Sequence, residues 1–317
     1  MKTDLIFIPH IVINPSNIVA YSECIHEGPN KHSSAYYQQM NAMLGVGSSF
    51  LKSERKAKGI MSDQAKRKIN KAIEYLVTTS TEKKVLNRLT DKIVTMKVSF
   101  LTLTLPSKQI HPDKEIINTC LNSFFNEVRK YHSVKNYIWR AELQKNGNIH
   151  FHILTDQFIP WWDARNRWNR IVNKLGYVDR FESKNGHHTP NSIDIHSIRK
   201  VENITKYMSK YMSKDHNPTK QIDNPSSEVR EQEGRIWGCN HELSQTRGLN
   251  LIVDSEVDTE MKKVLTSKNI HKFESTYFTV YFIDYHEFLK TDAKLLFKYF
   301  SDYLFEKLHF SEQLKAA

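Results

Sequence analysis

Two runs of alternating apolar and polar residues, Trp139 to Gln144 and Asn148 to Thr155, flank the turn-forming triplet Lys145, Asn146 and Gly147. This is the signal of a β-hairpin. Its turn length decides the face of every side chain, because strand residues alternate and a slip of one position inverts the whole set. A two-residue Asn-Gly turn points Glu142 away from His150. A three-residue loop with Gly147 left-handed instead pairs Gln144 with Asn148, Glu142 with His150 and Arg140 with His152. In that register Glu142, His150 and His152 share one face.

Two imidazoles and a carboxylate make a three-ligand set with open positions, which a catalytic rather than a structural metal site requires. Downstream, Val201 to Lys214 reads as a helix with Tyr207 and Tyr211 at i and i+4 and Lys206, Lys210 and Lys214 interleaved. A tyrosine hydroxyl is almost fully protonated at neutral pH, so its use as a nucleophile calls for a metal on the phosphate and a nearby ammonium. Spacing alone proves neither point. With 15 His in 317 residues, one His-x-His pair is close to chance. Tyr277, Tyr281 and Tyr285 repeat the tyrosine spacing, as do Tyr299 and Tyr303, in segments that read as buried strand and helix. Context separates Tyr207 and Tyr211. Each follows an apolar residue by three positions (Ile204, Met208) and precedes a lysine by three (Lys210, Lys214).

Glu-x7-His-x-His on a strand, followed by apolar-x-x-Tyr-apolar-x-Lys, resembles the HUH endonucleases, and specifically the rolling-circle replication initiators. The apolar, threonine-rich run from Phe100 to Pro106, with Thr102 and Thr104, resembles a third signature of that family. The three run in family order from Val98 to Asp215. The tandem tyrosines resemble the two-tyrosine type, whereas Tyr211 to Asp215 also resembles the single-tyrosine type, so both tyrosines stand as candidates. The resemblance implies Mg²⁺ or Mn²⁺ on Glu142, His150 and His152. It also implies a 5′-phosphotyrosine link formed by Tyr207 or Tyr211, with Lys210 steadying the charge and Thr102, Thr104, Lys206 and Lys214 beside the DNA. The implied partner is a single-stranded origin, as a hairpin. No Gly-x4-Gly-Lys-Ser/Thr motif is present, so unwinding and synthesis fall to a separate host helicase and polymerase. The alternatives are an HUH transposase of a mobile element and a non-catalytic ferredoxin-like module that binds single-stranded nucleic acid. The Gly-aromatic signature of an RNA-recognition module is absent.

Periodicity supports an α+β fold. Val98 to Leu105 reads as a strand, His111 to about Tyr131 as a helix, and Asn136 to Gln144 and Asn148 to Thr155 as two strands. A helix from Pro160 to Gly176 and a strand from Ser192 to Ile198 complete the order. Strand-helix-strand-strand-helix-strand is the ferredoxin-like split βαβ arrangement, an antiparallel sheet with flanking helices. The stripe Trp161, Ala164, Trp168, Ile171 and Leu175 reads as core. Three segments are expected: a basic N-terminal accessory region (1–96), the endonuclease domain (97–248) and a C-terminal α/β extension (249–317). Residues 1–50 read as short strands or irregular chain, and 249–317 as strand, helix, strand and helix. The Gly234 to Cys239 run resembles a segment of some relatives, but its residues point to no role.

A net charge of +11 and a pI near 9.3 call for a polyanionic partner. Lys52 to Lys92 holds twelve Lys or Arg against five Asp or Glu. Within it, Ser62 to Val77 reads as an amphipathic helix with Ala65, Ile69, Ile73 and Leu76 on the apolar side. Lys66, Arg67, Lys68 and Lys71 crowd its first turns, a grip suited to a DNA backbone. No apolar run reaches the length of a membrane span and no signal peptide is evident, so a cytoplasmic protein is expected. Cys24, Cys120 and Cys239 fit neither a disulfide framework nor a zinc motif and read as small buried hydrophobes.

Overall fold

The computed structural model describes residues 5–26, 61–87, 91–197, 208, 209, 212, 232–267 and 270–308. The chain divides into two compact units that are not consecutive in sequence, Met1–Lys56 with Arg247–Tyr303, and Ala57–Thr246 with Leu304–Ala317. This differs from three consecutive segments.

The first unit holds β1 (Leu5–Asn14) and β2 (Asn17–His26), a long hairpin turning at Pro15 and Ser16. The short or irregular chain expected there is corrected to two ten-residue strands. These lie inside the sheet β10-β1-β2-β12-β11, whose other strands are β10 (Leu249–Ile252), β11 (His271–Glu274) and β12 (Phe278–Phe282). The strand pairing joins the two ends of the chain, with His10 opposite Ile252 and Tyr21 opposite Phe278. Local periodicity carries no record of partners so distant.

The second unit carries the hairpin. Its α1 (Asp63–Thr79) starts at Ser62, whose hydroxyl accepts from the Ala65 amide, and buries Ile69, Ile73 and Leu76 as expected. A two-stranded hairpin follows, β3 (Lys83–Asn87) with β4 (Lys92–Met96). The main sheet has the order β8-β5-β7-β6-β9, with every neighbouring pair antiparallel. Its strands are β5 (Ser99–Thr104), β6 (Tyr137–Leu143), β7 (Ile149–Thr155), β8 (Ile193–Ser197) and β9 (Trp237–Cys239).

Alternation divides the two faces of this sheet. Leu101, Leu103, Trp139, Ala141, Phe151 and Ile153 form one hydrophobic core with Phe124 and Trp168. Those two come from α3 (Asn122–His132) and α4 (Trp161–Asn173); α2 (Asp113–Glu115) and a π-helical turn at Ile116–Leu121 lead into α3. Trp168 is the anchor. It is fully buried, meets Phe124 and Phe151 edge-on, and donates its indole N–H to the Thr104 carbonyl at 2.7 Å. Trp161, expected on the same stripe, is instead 53% exposed, with the Arg165 guanidinium over its ring. It stands at the first turn of α4, where the stripe has run past the edge of the core.

A further helix, α5 (Tyr177–Asn185), sits between two left-handed glycines, Gly176 and Gly186. The Gly234 to Cys239 run now has a role, since β9 adds a fifth strand beside β6, placing Gly238 opposite Trp139. A Cβ on Gly238 would stand 2.7 Å from the Trp139 indole nitrogen. Gly238→Ala is therefore expected to destabilise the unit by about 1–3 kcal/mol, read as a lower denaturation midpoint at unchanged slope. A wild-type midpoint would show that the edge strand yields. Only Cys120 of the three cysteines is fully buried; Cys24 and Cys239 are partly exposed. No helix among the described residues is long and apolar enough to cross a membrane.

Candidate metal centre

The hairpin loop contains three residues. Gln144 donates its amide to the Asn148 carbonyl at 2.8 Å and Gly147 donates to the Gln144 carbonyl at 2.9 Å, with Gly147 at φ 79°. The left-handed conformation is what a residue with a Cβ resists at this position. The resulting register sets Glu142 opposite His150 and Arg140 opposite His152. All four side chains therefore leave the sheet on the face away from the Phe124–Trp168 core.

On that face the Glu142 Oε2 atom lies 3.6 Å from His150 Nε2 and 3.4 Å from His152 Nε2. One ligand atom from each of the three falls within 4.8 Å of the others. Donors held about 2.1 Å from one ion stand about 3–4.2 Å apart in octahedral geometry, so little movement is needed to enclose a divalent cation. The donor set fits a cation of intermediate softness, with nitrogen and oxygen ligands and room for others. Burial pushes the Glu142 carboxyl up, but the neighbouring imidazoles of His150 and His152 and the Arg140 charge outweigh it and hold the group well below the usual carboxylate range. Glu142 thus stays an anion while only 4% exposed.

Neighbouring residues fix the rings. His152 stacks on Phe100, with centroids 5.5 Å apart, and its Nδ1 shares a 3.3 Å hydrogen bond with the Thr102 hydroxyl, leaving Nε2 turned toward Glu142. Thr102 sits directly opposite His152 on β5, which explains the contact. Thr104, one strand repeat further, donates its hydroxyl to the Ser192 carbonyl at 3.1 Å. Both threonines expected beside DNA therefore have partners within the protein.

Arg140 is not among the site residues read from the sequence, yet it is 1% exposed and its Nε stands 2.9 Å from Glu142 Oε1. Its Nη1 donates to the Met212 carbonyl at 3.0 Å and lies 3.9 Å from the Met61 sulfur. The signal that could have found it is parity. Arg140 precedes Glu142 by two on one strand, so it must share the face of the three ligands.

Tyr207, Tyr211, Lys206, Lys210 and Lys214 lie outside the described residues. Met208 and Met212, each following one of the tyrosines, are fully buried. The basic helix belongs to the same unit as the sheet. Arg67 and Lys68 are exposed on it, whereas Lys66 and Lys71 are half-buried, Lys66 standing 3.8 Å from Asp63 and Lys71 over the Tyr75 ring.

No curated protein and no solved structure matches the chain. Residues 98–216, the stretch that holds β5, the hairpin with Glu142, His150 and His152, and both tyrosines, match the model of a family of replication-associated proteins, the ORF2 type.

Proposed function

We propose that the chain is a rolling-circle replication initiator of the HUH type, which nicks and rejoins single-stranded origin DNA through a 5′-phosphotyrosine link. The observation that carries this reading is the hairpin register, which brings Glu142, His150 and His152 together inside the segment similar to replication-associated proteins. The strand order β8-β5-β7-β6, antiparallel throughout, supports a ferredoxin-like split βαβ sheet with β9 added at its edge.

Glu142, His150 and His152 would hold Mg²⁺ or Mn²⁺, and the bound ion supplies Lewis-acid polarisation of a phosphate oxygen. The chain's own residues do the rest. A hydroxyl of Tyr207 or Tyr211 attacks the phosphorus and its proton passes to solvent or a nearby base. The 3′-oxygen leaves and takes up a proton, so the phosphodiester is exchanged for a phosphotyrosine ester and the step needs no nucleotide cofactor. Lys210 is placed by sequence to offset charge on the phosphate.

The test uses 3′-labelled single-stranded hairpin oligonucleotides incubated with the protein and Mn²⁺. A labelled adduct that survives denaturing electrophoresis is expected, since the protein stays on the 5′ end of the downstream fragment. Retention of every hairpin uncut, despite binding, would favour the non-catalytic alternative.

The basic helix supplies a separate expectation. Neutralising Lys66, Arg67, Lys68 and Lys71 together is expected to lower affinity across sequences and to flatten its salt dependence by about 0.7 in log–log slope for each lost single-strand contact. Arg67 and Lys68, being exposed, should account for more of the change than Lys66 and Lys71. A salt slope equal to that of the wild type would make the helix face merely solvated.

A further inference from the structure

A fully buried guanidinium in contact with a buried carboxylate is costly to desolvate unless its geometry is fixed on several sides. Arg140 is fixed on three. Its Nε faces Glu142 Oε1 at 2.9 Å, its Nη1 donates to the Met212 carbonyl at 3.0 Å, and the Met61 sulfur closes the remaining side at 3.9 Å. The first contact engages one oxygen of Glu142 while the other, Oε2, faces His150 and His152. The second reaches the backbone of the residue next to Tyr211. A planar fork with separate Nε and Nη donors spans two such acceptors, which a lysine ammonium on one stem does not reproduce.

We infer that Arg140 is a positioning residue with two tasks: it holds Glu142 so that Oε2 is presented with the two imidazoles, and it ties that carboxylate to the chain segment bearing the tyrosines. This rests on the metal and tyrosine roles proposed above. Electrostatics alone argues in the opposite direction, because a cation beside the site repels a divalent ion. The two effects therefore separate by sign. If Arg140 acts only as a neighbouring charge, removing it tightens metal binding; if it positions Glu142, removing it weakens metal binding.

The experiment is Mn²⁺ titration of the DNA-free protein, followed by the bound-metal resonance signal, in the wild type, Arg140→Gln and Arg140→Lys. Strand cleavage at saturating Mn²⁺ is measured alongside. Arg140→Gln is expected to lose Mn²⁺ affinity by about 10-fold or more, the range seen when groups that orient metal ligands are removed. Arg140→Lys, which keeps the charge but not the fork, is expected to recover part of the affinity and still cleave about 10-fold more slowly at saturating metal. Affinity in Arg140→Gln equal to or tighter than that of the wild type, or full cleavage by Arg140→Lys, overturns the inference.

Failure of the underlying reading looks different: the wild type itself would bind no Mn²⁺, or would bind it equally after His150→Ala with His152→Ala. Should a variant at this buried position fail to fold, the Nε–H resonance of Arg140 in the wild-type protein reads the same link. Saturating Mg²⁺ is expected to shift it as Glu142 takes a cation, and a resonance that does not move overturns the inference.

Discussion

His150→Ala combined with His152→Ala is expected to lower strand cleavage by on the order of 10³-fold, since Lewis-acid stabilisation contributes several kcal/mol and each 1.36 kcal/mol is a factor of ten. DNA affinity should stay within about threefold, because phosphate contacts on lysines and arginines dominate binding. The double variant leaves the sheet core intact. Both rings lie on the face away from Phe124 and Trp168, and each is partly exposed. Cleavage by this variant at the wild-type rate, in the same metal, would remove His150 and His152 from the chemistry. A parallel loss of DNA binding would instead point to the non-catalytic alternative, in which the histidines contact DNA directly.

Tyr207→Phe with Tyr211→Phe is expected to abolish the covalent adduct, while each single variant retains some. Phenylalanine keeps the ring and removes only the nucleophilic oxygen, so packing is little disturbed. The reason for two tyrosines lies in the cycle. After one round of synthesis the regenerated origin must be cut while the first tyrosine still holds DNA, and residues at i and i+4 of a helix stand about one turn, roughly 5.4 Å, apart. An adduct missing from one single variant and unchanged in the other would make this a single-tyrosine enzyme.

The hairpin was legible because two local signals, strand alternation and a Gly-containing loop, fix register without reference to the rest of the chain. With the three-residue loop in place, Glu142, His150 and His152 fall on one face by arithmetic alone. Helix α1 was legible for a similar reason, since its 3.6-residue stripe and its Ser62 cap are both local. Arg140 was half legible. Its face followed from parity, but its burial depended on Met61 and Met212, far away in the chain.

Long-range pairing was not legible at all. Strand β1 joins residues 240 positions apart, and an apolar run such as Leu5 to Ile8 reads equally as an edge, a centre or a loop strand until its partner is known. Strand β9 is three residues long, too short for alternation to register, and its glycine marks a close approach that only the Trp139 ring reveals. Helix α5 was open to detection from its bracketing glycines, Gly176 and Gly186, yet with nine residues it falls short of a persuasive stripe. Trp161 misled because helical periodicity gives a direction and not the point where the core ends.

The central claim is that the Glu142–His150–His152 site and the tyrosine segment act together on one phosphate. Mass-spectrometric mapping of the protein–DNA adduct, formed from 3′-labelled hairpins with Mn²⁺ or with EDTA, tests it most directly. The account predicts a nucleotide mass on the peptide containing Tyr207 or Tyr211, formed with metal and absent with EDTA. An adduct on any other residue, or one that forms equally in EDTA, would contradict it.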